Sequence, residues 1–212
     1  MFKFTKIRNR ILFYVISFTI IIFLLIFGYL SIKSRTQLLS DTKNYIKSKT
    51  ESFANILANR FNYDLGITKA IASSFADIDG MDTTSRNHNY SITTYNLMRD
   101  NPDYVSVWLS IQLNYYRKSW GNNPGRISYS FYRKDGQILE HKQYRDVGGI
   151  VNFTKYHEMM DTKKETFMEP YFDVGAFAAE KMMMTSLATP ILTPNNDFIG
   201  VIGVDLEMSK VQ

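Results

Sequence analysis

Residues 104–112 read Tyr-Val-Ser-Val-Trp-Leu-Ser-Ile-Gln, and their strict alternation decides what kind of domain this chain builds. Val105, Val107, Leu109 and Ile111 fall on one face of an extended strand; Tyr104, Ser106, Trp108, Ser110 and Gln112 fall on the other. The first face predicts core. The second is polar and aromatic, a surface that another element or a bound molecule must cover. Downstream, strands at 127–134 and 137–142 flank Asp135-Gly136, a dipeptide suited to a two-residue hairpin turn. A short helix is expected over 152–161, and strands over 167–174, 182–192 and 198–206. The turn between the last two strands falls at Pro194-Asn195-Asn196-Asp197.

Working upstream, residues 33–79 contain no Pro and one Gly. Ile46, Phe53, Leu57, Phe61, Asp64, Ile67, Ile71 and Phe75 recur at steps of three, four and seven, an apolar helical stripe with a carboxylate inside it. Asp79-Gly80 ends that helix, and Thr83 or Thr84 is placed to cap a second one that stops before Pro102. A long helix, a shorter helix and an antiparallel meander with a helix inserted predict an α+β fold, with helices packed on one face of a sheet.

Residues 11–32 are 22 positions without a charge, roughly 33 Å as a helix and enough to cross a bilayer core. Lys33-Ser34-Arg35 follows, where a cleaved signal would carry small residues, so the segment is read as a retained transmembrane anchor. Lys3, Lys6, Arg8 and Arg10 precede it, which places residues 1–10 in the cytoplasm and 33–212 outside, in an inner (cell) membrane protein. The expected organisation is a basic N-terminus (1–10), a transmembrane helix (11–32), a stalk (33–79) and an α+β module (80–212). Without those four residues, 21 basic side chains remain against 20 acidic ones, leaving no basic surface for nucleic acid. The stalk stripe predicts a homodimer with parallel stalks.

The search for catalytic chemistry finds little. There is no Cys, so disulfides, thiolate nucleophiles and thiolate-bound metals are excluded. His157-Glu158-Met159-Met160-Asp161 starts like a zinc-protease helix but has Asp where the second His is needed, and reads as a solvated helix face. No phosphate loop or nucleophile elbow is present, and Gly200 and Gly203 read as close-packing positions in an apolar strand. The chain is therefore not expected to be an enzyme or to need a metal or cofactor. What stands out is aromatic density at strand positions, Trp108 and Tyr129 among them. Such side chains, with an apolar body and a polar tip, suit a small-molecule pocket covered by the Tyr156 helix and the 171–173 segment.

Glu169-Pro-Tyr-Phe-Asp173, Thr189-Pro190-Ile191 and Phe198-Ile-Gly-Val-Ile-Gly-Val-Asp205-Leu206, following a membrane span and a long helix, resemble the start of a double-Cache sensor ectodomain. These are the extracytoplasmic PAS-like domains of bacterial methyl-accepting chemotaxis proteins and sensor histidine kinases. The resemblance implies a membrane-distal ligand-sensing module of a transmembrane receptor, a chemoreceptor first and a histidine kinase second. The alternative is a membrane-tethered binding or scaffold protein without signalling output. The chain would then be the N-terminal part of a longer receptor. An amino-acid-binding subset of the family carries Arg-x-Trp-Tyr before a later Tyr-x-Asp. Here Tyr156 and Tyr171-Phe172-Asp173 match, whereas Phe153 and Lys155 stand at the Arg and Trp positions. The strand pattern contributes Trp108 and Tyr129, and the resemblance implies Lys155, Tyr156, Tyr171 and Asp173, to one expected ligand site. Asp173 would receive an ammonium and Lys155 would supply part of the anion-binding charge of a cationic or zwitterionic metabolite.

Overall fold

The structure is a computed structural model that describes residues 7–77, 80–121, 123–172 and 182–210. It divides into two units, 1–54 and 55–212. Helix α1 (Ile7–Asp77) supplies all of the described first unit, where the apolar side chains from Ile11 to Ile32 are exposed. By length and composition this helix is apolar enough to cross a membrane.

In the second unit, the end of α1 and helix α2 (Thr83–Asp100) pack on a seven-stranded antiparallel sheet. The strands are β1 (Tyr104–Gln112), β2 (Arg126–Lys134), β3 (Gln137–Arg145), β4 (Thr166–Phe167), β5 (Tyr171–Phe172), β6 (Met183–Leu192) and β7 (Phe198–Glu207). They run in the order β3-β2-β1-β7-β6-β4, with β5 also pairing with β6. One-turn helix α3 (Leu113–Tyr116) follows β1, and α4 (Lys155–Thr162) follows β3. The cap of α2 is Asp82 rather than the expected Thr83 or Thr84: its carboxylate accepts from the Thr84 and Ser85 amides, both at 3.0 Å. At the other end, the Arg133 guanidinium donates to the Met98 carbonyl, a cation at the negative pole of the helix.

The two faces of the sheet have different tasks. Val107, Leu109, Ile111, Ile127, Phe131, Ile202 and Val204 pack toward Phe75, Tyr90, Leu97 and Met98 of α1 and α2. The opposite face is covered by α4, whose Tyr156 and Met159 pack with Ala188, Val201 and Trp108. Helices thus lie on both faces, not on one as the order of elements predicted. The reason is the aromatic and apolar content of the second face, which water alone would leave exposed.

Tyr104 departs from its expected face. A register shift between Tyr104 and Ser106 in the β1–β7 pairing marks a bulge, so Tyr104 and Val107 turn to the same side. The Tyr104 phenol is buried and donates to Asp64 Oδ1 at 2.8 Å, and Arg60 Nε donates to Asp64 Oδ2 at 2.8 Å. The carboxylate that interrupts the helical stripe is therefore a fully buried, doubly bonded joint between α1 and the sheet. Burial, reinforced by the bond to Asp64, holds the Tyr104 phenol protonated well above its ordinary range. Asp64→Ala should cost about 2 kcal/mol and Tyr104→Phe about 1–2 kcal/mol in denaturant unfolding. The aspartate figure sits below that of a sealed ion pair because Arg60 is partly hydrated and also reaches Asp103. Neutral effects of both changes would contradict the joint.

Candidate functional site

On the α4 side, the side chains of the central strands form rows across the sheet. Ser106, Asp205 and Ser186 are aligned in one row through the β1–β7 and β7–β6 pairings. Asp205 is 4 % exposed. It accepts from Ser106 Oγ, from Trp108 Nε1 at 2.9 Å and from Ser186 Oγ at 2.6 Å. Tyr171 Oη lies 2.9 Å from Ser186 Oγ, which ties the short strand β5 to the same network. A buried carboxylate needs such partners, since an unsolvated and unbonded charge is far costlier than the bonds that hold it.

The next row holds Ser130, Trp108 and Gly203. A Cβ at residue 203 would sit 2.3 Å from the Trp108 ring, so only glycine lets the indole lie against β7 and reach Asp205. Further along, Ser110 and Ser128 hydroxyls are 2.9 Å apart. At the far end Arg126 of β2 is directly opposite Arg145 of β3. Like charges so placed repel, and Asp146 relieves part of this by accepting from Arg126 Nε at 2.6 Å. Arg126 also donates to Ser110 Oγ at 3.1 Å and stacks over the Tyr156 ring with 4.0 Å between the guanidinium carbon and the ring centroid. Burial and the Arg126 charge lower the Arg145 pKa, opposed by Asp146, so this end of the face is short of anions. Burial raises the Tyr156 phenol above its ordinary range, with Arg126 pulling the other way.

These rows floor a cavity of about 380 Å³. Trp108, Lys155, Tyr156 and Tyr171 line it, as do Arg126, Arg145 and Asp205, which sequence reasoning had not singled out. Tyr129 is elsewhere: it pairs with Leu109, faces α1 and α2, and is buried beside Tyr116. Asp173 lies outside the described residues. His157 is buried rather than solvated. Its Nδ1 accepts from the Thr154 amide at 3.0 Å, capping α4, while Nε2 faces Asp146 Oδ2 at 3.3 Å. Among the described residues no group of three or more His, Asp or Glu is placed to hold a metal.

A family model, the methyl-accepting chemotaxis protein-like first PDC sensor domain, matches residues 86–212. The fold is similar to three solved domains. Methyl-accepting chemotaxis protein X aligns with a TM-score of 0.59 at 15 % identity, over 78 % of this chain and 62 % of that one. The periplasmic sensory domain of the Campylobacter jejuni chemoreceptor Tlp1 aligns with a TM-score of 0.54 at 14 % identity, over 76 % and 59 %. The extracellular domain of mmHK1S-Z2, described as a histidine kinase, aligns with a TM-score of 0.55 at 19 % identity, over 78 % and 61 %. This chain therefore spans about three-fifths of the length of each. No curated protein matches.

Gly203→Ala should push the indole off β7 and break its bond to Asp205. The expected outcome is a loss of about 1–3 kcal/mol in unfolding free energy with a change in Trp108 fluorescence. Unchanged stability and emission would show that the indole is not held there.

Proposed function

The chain belongs to the methyl-accepting chemotaxis protein-like family of first PDC sensor domains, and from that premise we propose that the cavity on its α4 face is where a receptor reads a small zwitterion. The observation that carries this reading is the polarity of the cavity: one buried carboxylate, Asp205, at one end and the Arg126–Arg145 pair at the other. Lys155, also in the wall, is already paired with Glu158 at 2.6 Å.

The spacing narrows the ligand. Arg126 is bonded to Ser110, and Asp205 to Ser106, four residues away on the same strand. At about 3.3 Å per residue that separates the two heads by on the order of 13 Å, less the lean of the side chains. After allowing about 2.8 Å for a charge-assisted bond at each end, the ligand's own charges stand several ångströms apart. An amino acid with its ammonium at the far end of a short carbon chain fits this better than an α-amino acid. Trp108, Tyr156 and Tyr171 would line the methylene chain.

In this reading residues 11–32 cross the membrane with the N-terminus in the cytoplasm, residues 33–79 form the stalk and 80–212 the membrane-distal sensor, all outside. The stalks pair in a homodimer, and the output is that of a chemoreceptor, or failing that a sensor kinase. The apolar run and the basic residues before it support the orientation, and the family supports the sensing role.

Calorimetry on the full chain in detergent should show 5-aminopentanoate binding at least tenfold tighter than pentanoate, which lacks the ammonium, or pentylamine, which lacks the carboxylate. Arg145→Gln should remove most of the advantage over pentylamine, and Asp205→Asn the advantage over pentanoate. Equal binding of all three, or preference for alanine, would overturn the reading.

A further inference from the structure

The floor of the cavity has a polar group to spare. Ser106 and Ser186 donate to Asp205, and Ser110 and Ser128 share a hydrogen bond at 2.9 Å. Ser130 also lines the cavity, yet its hydroxyl makes no hydrogen bond to a described residue and is not sealed off from the cavity. The cause lies in its neighbour. Trp108, opposite Ser130 in the β1–β2 pairing, carries its indole over Gly203 of β7, on the other side of β1. The bulky side chain of that row thus leans away from β2 and leaves the serine open.

Its place along the strands matters equally. Successive rows of the β1–β2 pairing are Ser110 with Ser128, Trp108 with Ser130, and Ser106 with Tyr132. Arg126 is bonded to Ser110 in the first of these rows, and Asp205 to Ser106 in the last. Ser130 therefore stands in the row midway between the two charged ends, and a zwitterion that spans them brings its middle over this hydroxyl. A methylene chain there would take water from the hydroxyl and offer no hydrogen bond in return, at the usual cost of an unpaired buried polar group. A peptide group offers both a carbonyl acceptor and an N–H donor at that point. Its planar trans bond also holds the chain extended, so the charged ends are kept apart with fewer rotations to freeze than in a methylene chain.

We propose that the ligand is a small dipeptide: its ammonium meets Asp205, its carboxylate meets the Arg126–Arg145 end, and its central amide hydrogen-bonds to Ser130. This assignment rests on the zwitterion reading of the cavity and names the ligand class within it. Glycylglycine is 5-aminopentanoate with the two central methylenes replaced by a peptide group. The two molecules therefore share their charged ends and the number of bonds between them, and differ in the segment that lies over Ser130.

Calorimetry on the full chain in detergent compares the two. Glycylglycine should bind about fivefold tighter than 5-aminopentanoate, the ratio that one net hydrogen bond supplies, and Ser130→Ala should remove most of that preference. Binding of 5-aminopentanoate to the variant reports that its site is still assembled. If 5-aminopentanoate binds and glycylglycine is no tighter, or if its preference survives Ser130→Ala, the dipeptide assignment is overturned and the zwitterion reading stands. Equal loss of both ligands in the variant would also overturn it, by making Ser130 a support of the site rather than a reader of the amide. Failure of both molecules to bind the unaltered chain would contradict the zwitterion reading itself, and the dipeptide with it.

Discussion

The carboxylate of Asp205 is the constraint around which the described sheet is arranged. It is the one charge in the run Phe198-Ile-Gly-Val-Ile-Gly-Val-Asp-Leu206, and it is buried in the middle of three strands. Removing a carboxylate from water costs several kcal/mol unless hydrogen bonds replace the lost hydration. Here they come from β1 through Ser106 and Trp108 and from β6 through Ser186, so the charge cross-links both neighbours of β7. The demand reaches outward. Trp108 can lie flat only because residue 203 has no side chain, and Ser186 in turn meets Tyr171 on β5. An apolar residue at 205 would stabilise the sheet more cheaply. Keeping a charge there is consistent with a face shaped for recognition.

The two sides of the sheet divide the energetics from the chemistry. Toward α1 and α2 the strands present Val, Leu and Ile, and the buried charges on that side belong to the helices: Asp64 of α1, held by Arg60 and Tyr104, and Arg86 of α2, which donates to the Tyr115 carbonyl. Toward α4 they present Ser106, Ser110, Ser128, Ser130 and Ser186, small side chains that leave room above the backbone. Period-two alternation carries both patterns in the same strands. The rigid apolar side fixes the backbone, and the polar side can then hold Asp205 and Arg126 at a set distance.

Much of this was legible in the sequence. The alternation at 104–112 identifies both faces, and Asp135-Gly136 identifies the hairpin, whose left-handed φ values of 51° and 77° make a two-residue turn. That turn also fixes the register that sets Arg126 opposite Arg145, a consequence hidden by starting the first strand at 127 instead of Arg126 and ending the second at 142 instead of Arg145. Asp205 carried its own signal, a lone charge in an apolar strand. Tyr129 was misplaced because 13 residues separate β1 from β2, and no short turn ties the parity of one strand to the other. Tyr104 was misplaced by a bulge, an insertion that leaves no mark in residue types. His157 reads as a solvated helix residue because its partners, Thr154 and Asp146, are brought to it by a cap and by a left-handed backbone at Asp146.

The central claim, that the α4 face of the sheet is the sensing surface, is tested most directly by hydrogen–deuterium exchange on the full chain in nanodiscs with and without 5-aminopentanoate. Exchange should slow in β1, in the second half of β7 and in the first turn of α4, with α2 and the first unit unchanged. Slowing confined to α2, or to residues 7–54, in the presence of bound ligand would contradict it.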